Sequence, residues 1–315
     1  LNCKVDTNKI YTGDCLEGLQ KLPDECVQCC VTSPPYWSLR DYRIEEQIGL
    51  ETDPEIYVQR LIAVFNEVRR VLKPDGVLWL NIGDAYWNQE KQNMSAGYRK
   101  YGNKASQKRK IHRSRFGTKT NSRRFELKSK DLIGLPWMLA FALRQVGWYL
   151  RQDIIWHKTN PMPESVRDRC TKSHEYIFLL SKNQKYYYNH HAIKTDVKGE
   201  NHHDRTARPA VKARNERWVN TIRKVRGPYL KANRRSVWPV TNKSFEGAHF
   251  AVFPPGIPEL CILAGSREGD VILDPFMGAG TTALVARRHG RKYIGFELNP
   301  DYVDIAQKRL AENEP

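Results

Sequence analysis

Long apolar runs are absent from this sequence. No stretch approaches the about 20 residues that a membrane-spanning helix needs, and the N-terminus carries no apolar signal-peptide region. The chain therefore reads as a soluble protein, expected in the cytoplasm. Ordered cysteine is missing as well. The seven cysteines are odd in number and follow no regular spacing, which argues against a disulfide framework and fits a reducing compartment. Cys26, Cys29 and Cys30 stand close together, but in an apolar run with no second ligand pair after it, so they read as small buried hydrophobes and no metal is expected. Acid is the scarcer charge: 52 Lys and Arg against 35 Asp and Glu leave a formal net charge of +17. Such an excess suits a polyanionic partner, and nucleic acid is the obvious one. No internal repeat is visible, and 315 residues suffice for one large core with an inserted module.

What is there is an alternation of short strands and helices, the signature of an α/β sheet. Strands are predicted around Ile10-Tyr11, over Cys26–Val31, Val77–Leu80, Tyr149–Trp156, Tyr176–Leu180, Asp270–Asp274 and Arg291–Glu297. Helical spacing carries Leu16, Leu19 and Leu22, then Ile56 through Leu72 behind Asp53 as N-cap and Pro54 in the first turn. Further helices are predicted around Leu135–Leu143, Pro258–Ala264 and Ala283–Ala286. Two basic stretches interrupt this pattern. Residues 88–130 hold many Lys and Arg against Glu90 and Glu126 alone, with too little apolar content for a core, and read as a mobile insertion. Residues 181–248 are basic and aromatic, and Arg214, Arg217, Arg223, Arg226, Arg234 and Arg235 make a candidate DNA-binding surface.

Two motifs carry the chemistry. In Val31-Thr32-Ser33-Pro34-Pro35-Tyr36-Trp37 the strand must stop at Ser33, because neither proline can donate to a ladder. The rigid turn presents a hydroxyl, a proline carbonyl and an aromatic ring together. Far downstream, the strand ending at Asp274 leads into Pro275-Phe276-Met277-Gly278-Ala279-Gly280-Thr281-Thr282, then a helix, a strand and Glu297. Strand, glycine turn, helix, strand, acid is a mononucleotide-binding layout: glycines admit close backbone approach, and the distal acid can accept ribose hydroxyls. Asp274 at the loop entrance would repel a pyrophosphate. It suits a cationic ligand, which favours S-adenosylmethionine over NAD.

These motifs together resemble the amino-group DNA methyltransferases of restriction-modification type, with the catalytic motif ahead of the glycine loop as in the circularly permuted β arrangement of that family. Gly13-Asp14-Cys15-Leu16-Glu17, Asp153–Lys158, Ser173–Tyr176 and Phe250–Pro255 resemble further family blocks. The resemblance implies a Rossmann-like α/β fold, a mixed and mostly parallel sheet with helices on both faces. It implies a catalytic domain of residues 1–180 and 249–315, with 181–248 as target-recognition region. It implies Ser33, Pro34, Pro35 and Tyr36 as catalytic turn, and Asp14, Cys15, Asp274, Pro275, Phe276, Gly278, Gly280, Thr281 and Glu297 around the cofactor. Trp37, Asp84, Trp156 and Lys158 are candidates for the pocket of an extruded base; Asp84 fits a turn or cap equally, and Trp156 a core position. Serine as first motif residue usually accompanies cytosine N4 methylation in this family, with adenine N6 as the alternative. The implied partners are double-stranded DNA and a cognate restriction endonuclease, for a monomer or homodimer. A protein glutamine methyltransferase and an inactive nucleic-acid-binding module are the remoter readings.

Overall fold

Period-two alternation in the strands puts one set of apolar side chains on each face of a sheet, and helices cover both. The computed structural model describes residues 6–39, 44, 47–87, 127–196, 231–242 and 253–313. In chain order the elements are β1 (Lys9–Thr12), α1 (Cys15–Gln20), β2 (Val27–Thr32), α2 (Pro54–Val71), β3 (Leu72–Ile82), α3 (Leu135–Gln145), β4 (Tyr149–Lys158) and β5 (His174–Ser181). There follow β6 (Thr195–Asp196), β7 (Lys231–Ala232), β8 (Val237–Val240), α4 (Gly256–Gly265), β9 (Val271–Asp274), α5 (Thr281–Arg288), β10 (Lys292–Glu297) and α6 (Pro300–Glu312).

The main sheet has the order β1-β10-β9-β2-β3-β5-β4-β8. Every pairing in it is parallel except the two made by β5. On one face Cys30, Leu78, Leu80, Phe178, Leu180, Leu273 and Ile294 meet α1, α2 and α3; on the other Cys29, Val31, Val77, Trp79, Ile177, Leu179 and Ile272 meet α4 and α5. Cys29 and Cys30 thus sit fully buried on opposite faces of β2, and burial pushes both thiols up. No described helix is long and apolar enough to cross a membrane.

Local chemistry sets the helix starts. Asp53 accepts the Glu55 N–H at 2.7 Å ahead of Pro54, and Asn299 accepts the Asp301 N–H at 3.0 Å ahead of Pro300. The last of these opens a helix absent from the sequence-based reading, although Val303, Ala306 and Leu310 mark its buried stripe. Lys73–Gly76, which lies between the predicted helix and the predicted strand Val77–Leu80, falls within β3, and a register shift between Val27 and Cys29 absorbs the irregularity. Within the 181–248 stretch, β8 is a strand of the main sheet, and Trp238 and Ile193 are buried in its core.

Because the glycine-loop strand β9 is the direct parallel neighbour of β2, the carboxyl ends of β1, β10, β9, β2 and β3 all open on one edge. One bond ties the two motifs there. The Thr32 hydroxyl donates to Asp274 Oδ1 at 2.6 Å across 242 positions of sequence. Asp274 is 1% exposed and also accepts from the Thr282 hydroxyl at 2.6 Å and the Phe276 N–H at 3.0 Å. Burial raises its carboxyl to about 6.

Removing one donor should leave this carboxylate under-satisfied. Thr32→Val is expected to cost about 1–3 kcal/mol of stability. The Thr32 hydroxyl favours the ionised carboxyl, so its loss raises the folded-state value further. The deficit should therefore grow as pH rises through about 6 and shrink in acid, where Asp274 is protonated in both proteins. Urea denaturation at acid and at mildly alkaline pH measures it.

Candidate active site at the carboxyl edge of the sheet

A cavity of about 560 Å³ opens at this edge. Its wall on one side is the β1, β9 and β10 ends: Asp14, Cys15, Pro275, Phe276, Gly278, Thr281 and Glu297. Asp14 caps α1, its Oδ1 accepting from the Leu16 N–H at 2.8 Å and the Glu17 N–H at 3.0 Å. Cys15 is buried, which with the neighbouring Asp14 pushes its thiol to about 12 and keeps it protonated. Glu297 accepts the Gly278 N–H at 2.8 Å and the Asn299 N–H at 2.9 Å, one on each carboxylate oxygen, and burial moves its carboxyl up. Gly278 has φ +52°, and a Cβ there would meet nothing within 4 Å; Gly13, at φ +134°, is equally open. Both line the cavity, so the backbone bares itself to whatever the cavity holds.

The opposite side is the β2 turn. Ser33, Pro34, Pro35 and Tyr36 all line the cavity. From α2 the Tyr57 hydroxyl donates to the Pro35 carbonyl at 2.9 Å, pinning the turn from below. The Tyr36 hydroxyl donates to Glu175 Oε2 and lies 3.5 Å from Ser33 Oγ. Asn81 Nδ2 reaches Tyr36 Oη at 2.9 Å, Glu175 Oε2 at 3.1 Å and Ser33 Oγ at 3.4 Å, while Asn81 Oδ1 is buried without a partner. Lys158 Nζ donates to Glu175 Oε1 at 2.5 Å and sits 4.9 Å from the centre of the Trp156 ring, whose own N–H is held by the Val240 carbonyl at 2.9 Å. Trp156, Lys158, Asn81 and Glu175 all line the cavity. Burial and the Glu175 charge push the Tyr36 hydroxyl well above its ordinary value, so it keeps its proton.

Four expected site residues lie elsewhere. Asp274 does not line the cavity; its oxygens are turned to Thr32, Thr282 and Phe276 instead of a cationic ligand. Gly280 is also outside it. At φ +77° it precedes α5, and a Cβ would fall 2.9 Å from Ala306 Cβ, so glycine here serves the packing of α6. Trp37 is 6% exposed, stacks on Trp87 at 6.0 Å and donates to the Glu51 carbonyl at 2.9 Å. Asp84 caps α3, accepting from the Gly134 and Leu135 N–H groups, each at 3.0 Å. Of the arginines, Arg234 donates to the Ile193 carbonyl at 2.9 Å, Arg235 is exposed, and Arg214, Arg217, Arg223 and Arg226 lie outside the described residues. So do residues 88–126 of the basic insertion.

Asn81 and Glu175 were the residues missed. Each is a polar side chain within an apolar strand, Asn81 at 4% exposure and Glu175 at 8%, and a buried polar group in such a run is the signal that could have found them. Phe253 and Tyr302 also line the cavity.

With this geometry in place, a family model described as DNA methylase, of the N6 and N4 type, matches residues 27–308. The chain belongs to that family. It is 45% identical over 301 residues to a Type II methyltransferase, M.Cfr9I, from Citrobacter freundii, spanning 96% of this chain and 87% of that one. Among solved structures, the Thermus thermophilus protein TTHA0409, complexed with S-adenosyl-L-methionine, superposes with a TM-score of 0.60 at 24% identity, covering 98% of this chain and 94% of that one. A PvuII DNA methyltransferase, cytosine-N4-specific, does so with 0.64 at 20% identity, over 99% and 89%. Both share the DNA methylase fold seen here, and the mixed sheet matches the Rossmann-like architecture expected from the resemblance.

In this DNA methylase the Tyr36 ring is wedged against backbone. A Cβ on Gly83 would lie 2.7 Å from Tyr36 Cε2. Gly83→Ala is therefore expected to tilt the ring and lower methyl transfer to DNA roughly tenfold or more, with cofactor affinity nearly unchanged. Calorimetry and radiolabel transfer separate the two effects.

Proposed function

We propose that this chain transfers a methyl group from S-adenosylmethionine to the N4 amine of a cytosine extruded from duplex DNA. The observation that carries the reading is that Ser33 and the Gly278–Glu297 wall, from opposite ends of the sequence, face one cavity. The residues on that wall fit the cofactor. The open backbone at Gly13 and Gly278 gives the close approach, and Glu297, with each oxygen holding one backbone N–H, keeps lone pairs for ribose hydroxyls. Asp14 and Glu297 give the wall the negative charge that the sequence-based reading assigned to Asp274. When bound, S-adenosylmethionine supplies an electrophilic methyl on its sulfonium.

The acceptor side does the rest. An exocyclic amine is a poor nucleophile because its lone pair is delocalised into the ring. Ser33 Oγ and the Pro34 carbonyl accept its two hydrogens and turn that lone pair toward the methyl; as the N–C bond forms the C–S bond would break to leave a neutral thioether, and the methylated amine would shed one proton. Tyr36 stacks on the base, and Trp156 with Lys158 closes the pocket from the β4 side. The prolines hold the turn in place beforehand, so positioning and electrostatics supply most of the rate. Extrusion is required because the amine of a stacked base cannot enter such a cavity.

Cytosine is favoured over adenine by Ser33 as the first motif residue, and by the Lys158 ammonium, a donor suited to the ring carbonyl that cytosine has and adenine lacks. The basic segments 88–130 and 181–248 fit a role in gripping duplex DNA, the second as target-recognition region. The Type II designation of M.Cfr9I fits a cognate endonuclease for this chain, working in the cytoplasm.

Labelled methyl should appear in duplex DNA incubated with the protein, and nucleoside analysis should find N4-methylcytosine; N6-methyladenine as sole product would move the target to the alternative base. Ser33→Ala is expected to lower turnover about 10- to 100-fold while calorimetric cofactor affinity holds. Glu297→Gln should do the reverse first, weakening cofactor binding about tenfold or more.

A further inference from the structure

We propose that Glu175 is the positioning residue that sets the direction of the hydrogen bonds around Ser33 and so makes that serine an acceptor toward the target amine. The inference rests on the amine-methylating role just assigned to the cavity.

A carboxylate can only accept. Glu175 therefore obliges the Tyr36 hydroxyl to donate its single proton away from the pocket. Tyr36 Oη is then left with lone pairs alone, and these face Asn81 Nδ2 at 2.9 Å and Ser33 Oγ at 3.5 Å. The Ser33 proton is drawn toward Tyr36, and Asn81 Nδ2 donates to Ser33 Oγ at 3.4 Å, so Ser33 keeps one lone pair for an N–H of the base. Asn81 reinforces this order. Its amide must point Nδ2 at the cluster, since its oxygen would oppose the Glu175 carboxylate. Without a fixed anion at the end, a serine and a tyrosine could exchange donor and acceptor roles freely, and half of those arrangements would turn a proton toward the amine.

The charge at Glu175 has its own support. The Lys158 ammonium from β4 holds Oε1 at 2.5 Å, with the pair largely removed from water at 22% and 11% side-chain exposure. Lys172, on the segment leading into β5, adds positive field, whereas burial holds the imidazole of His174, the first residue of β5, below its usual range and so favours its neutral form. The other groups at the carboxylate are Tyr36 and the neutral Asn81.

The test uses the full chain, cofactor and a duplex that the wild type methylates. Glu175→Gln, which can both donate and accept, should lower turnover about 10- to 100-fold. Cofactor affinity and thermal melting should stay at wild-type values. Tyr36→Phe keeps the ring and removes the relay, so the double variant should lose little more than either single one. Wild-type turnover by Glu175→Gln, or fully additive losses, would overturn the proposal. Should Glu175→Gln melt early or lose the cofactor, Tyr36→Phe decides alone: unaltered turnover overturns, and an about 10- to 100-fold loss of turnover at wild-type cofactor affinity supports. A wild-type chain inert on all DNA fails earlier, before variants are compared, and counts against the methylation reading itself.

Discussion

The Thr32–Asp274 hydrogen bond is the constraint on which the site depends. It joins the end of β2 to the end of β9 at the level where both chains leave the sheet. The two loops that follow, one polar and proline-rich, one glycine-rich, consequently diverge from a common point and enclose the cavity between them. A buried carboxylate is costly unless its lone pairs are satisfied. Here a threonine from each motif and a backbone N–H satisfy them, so the charge that the two halves share is useful only when they are together. The bond works as a registration pin. Slipping either strand by one residue would turn Thr32 or Asp274 to the other face of the sheet.

Around this pin the cavity is divided by charge. Its β1–β10 wall is acidic and open at the backbone, suited to a sulfonium and an ammonium. Its β4–β5 wall holds the Lys158–Glu175 pair, neutral as a unit but strongly directional. The Tyr36 turn lies between the two. The chain as a whole carries a formal net charge of +17, which suits a polyanion, while the buried carboxylates Asp274 and Glu175 are each held by donors.

Much of this was legible in the residue order. The alternation of strand and helix patterns predicted the sheet, and the prolines after Ser33 predicted where β2 stops. Glu297 was singled out by its distance from the glycine loop and its place at the end of the next strand, and it lines the cavity. The failures share one physical cause. Sequence gives a side chain's position along an element, but not the way it turns at the end of one. Asp274 and Gly280 belong to the expected loop, yet one faces the core bond and the other faces α6. Trp37 follows the catalytic turn directly and still packs inward against Trp87. Glu175 acts on Tyr36 across 139 positions, and no local pattern connects two residues brought together by an antiparallel strand inserted beside β3. Asp84, for which a cap and a pocket fitted equally well, proved to be a cap because α3 starts with bare N–H groups beside it.

The strand order has a bearing on how the molecule is made. Among the described residues β1 pairs with β10 alone, and β2 is flanked on one side by β9, so the amino-terminal strands leave the ribosome with edges that residues 271–297 later cover. Helix α2 and strand β3 can shield one flank of β2 early, while the other waits for β9. Contacts of such long sequence separation form late and slowly. The cavity consequently has both its walls only once β9 and β10 have joined the sheet, because those walls come from segments 242 positions apart in the chain.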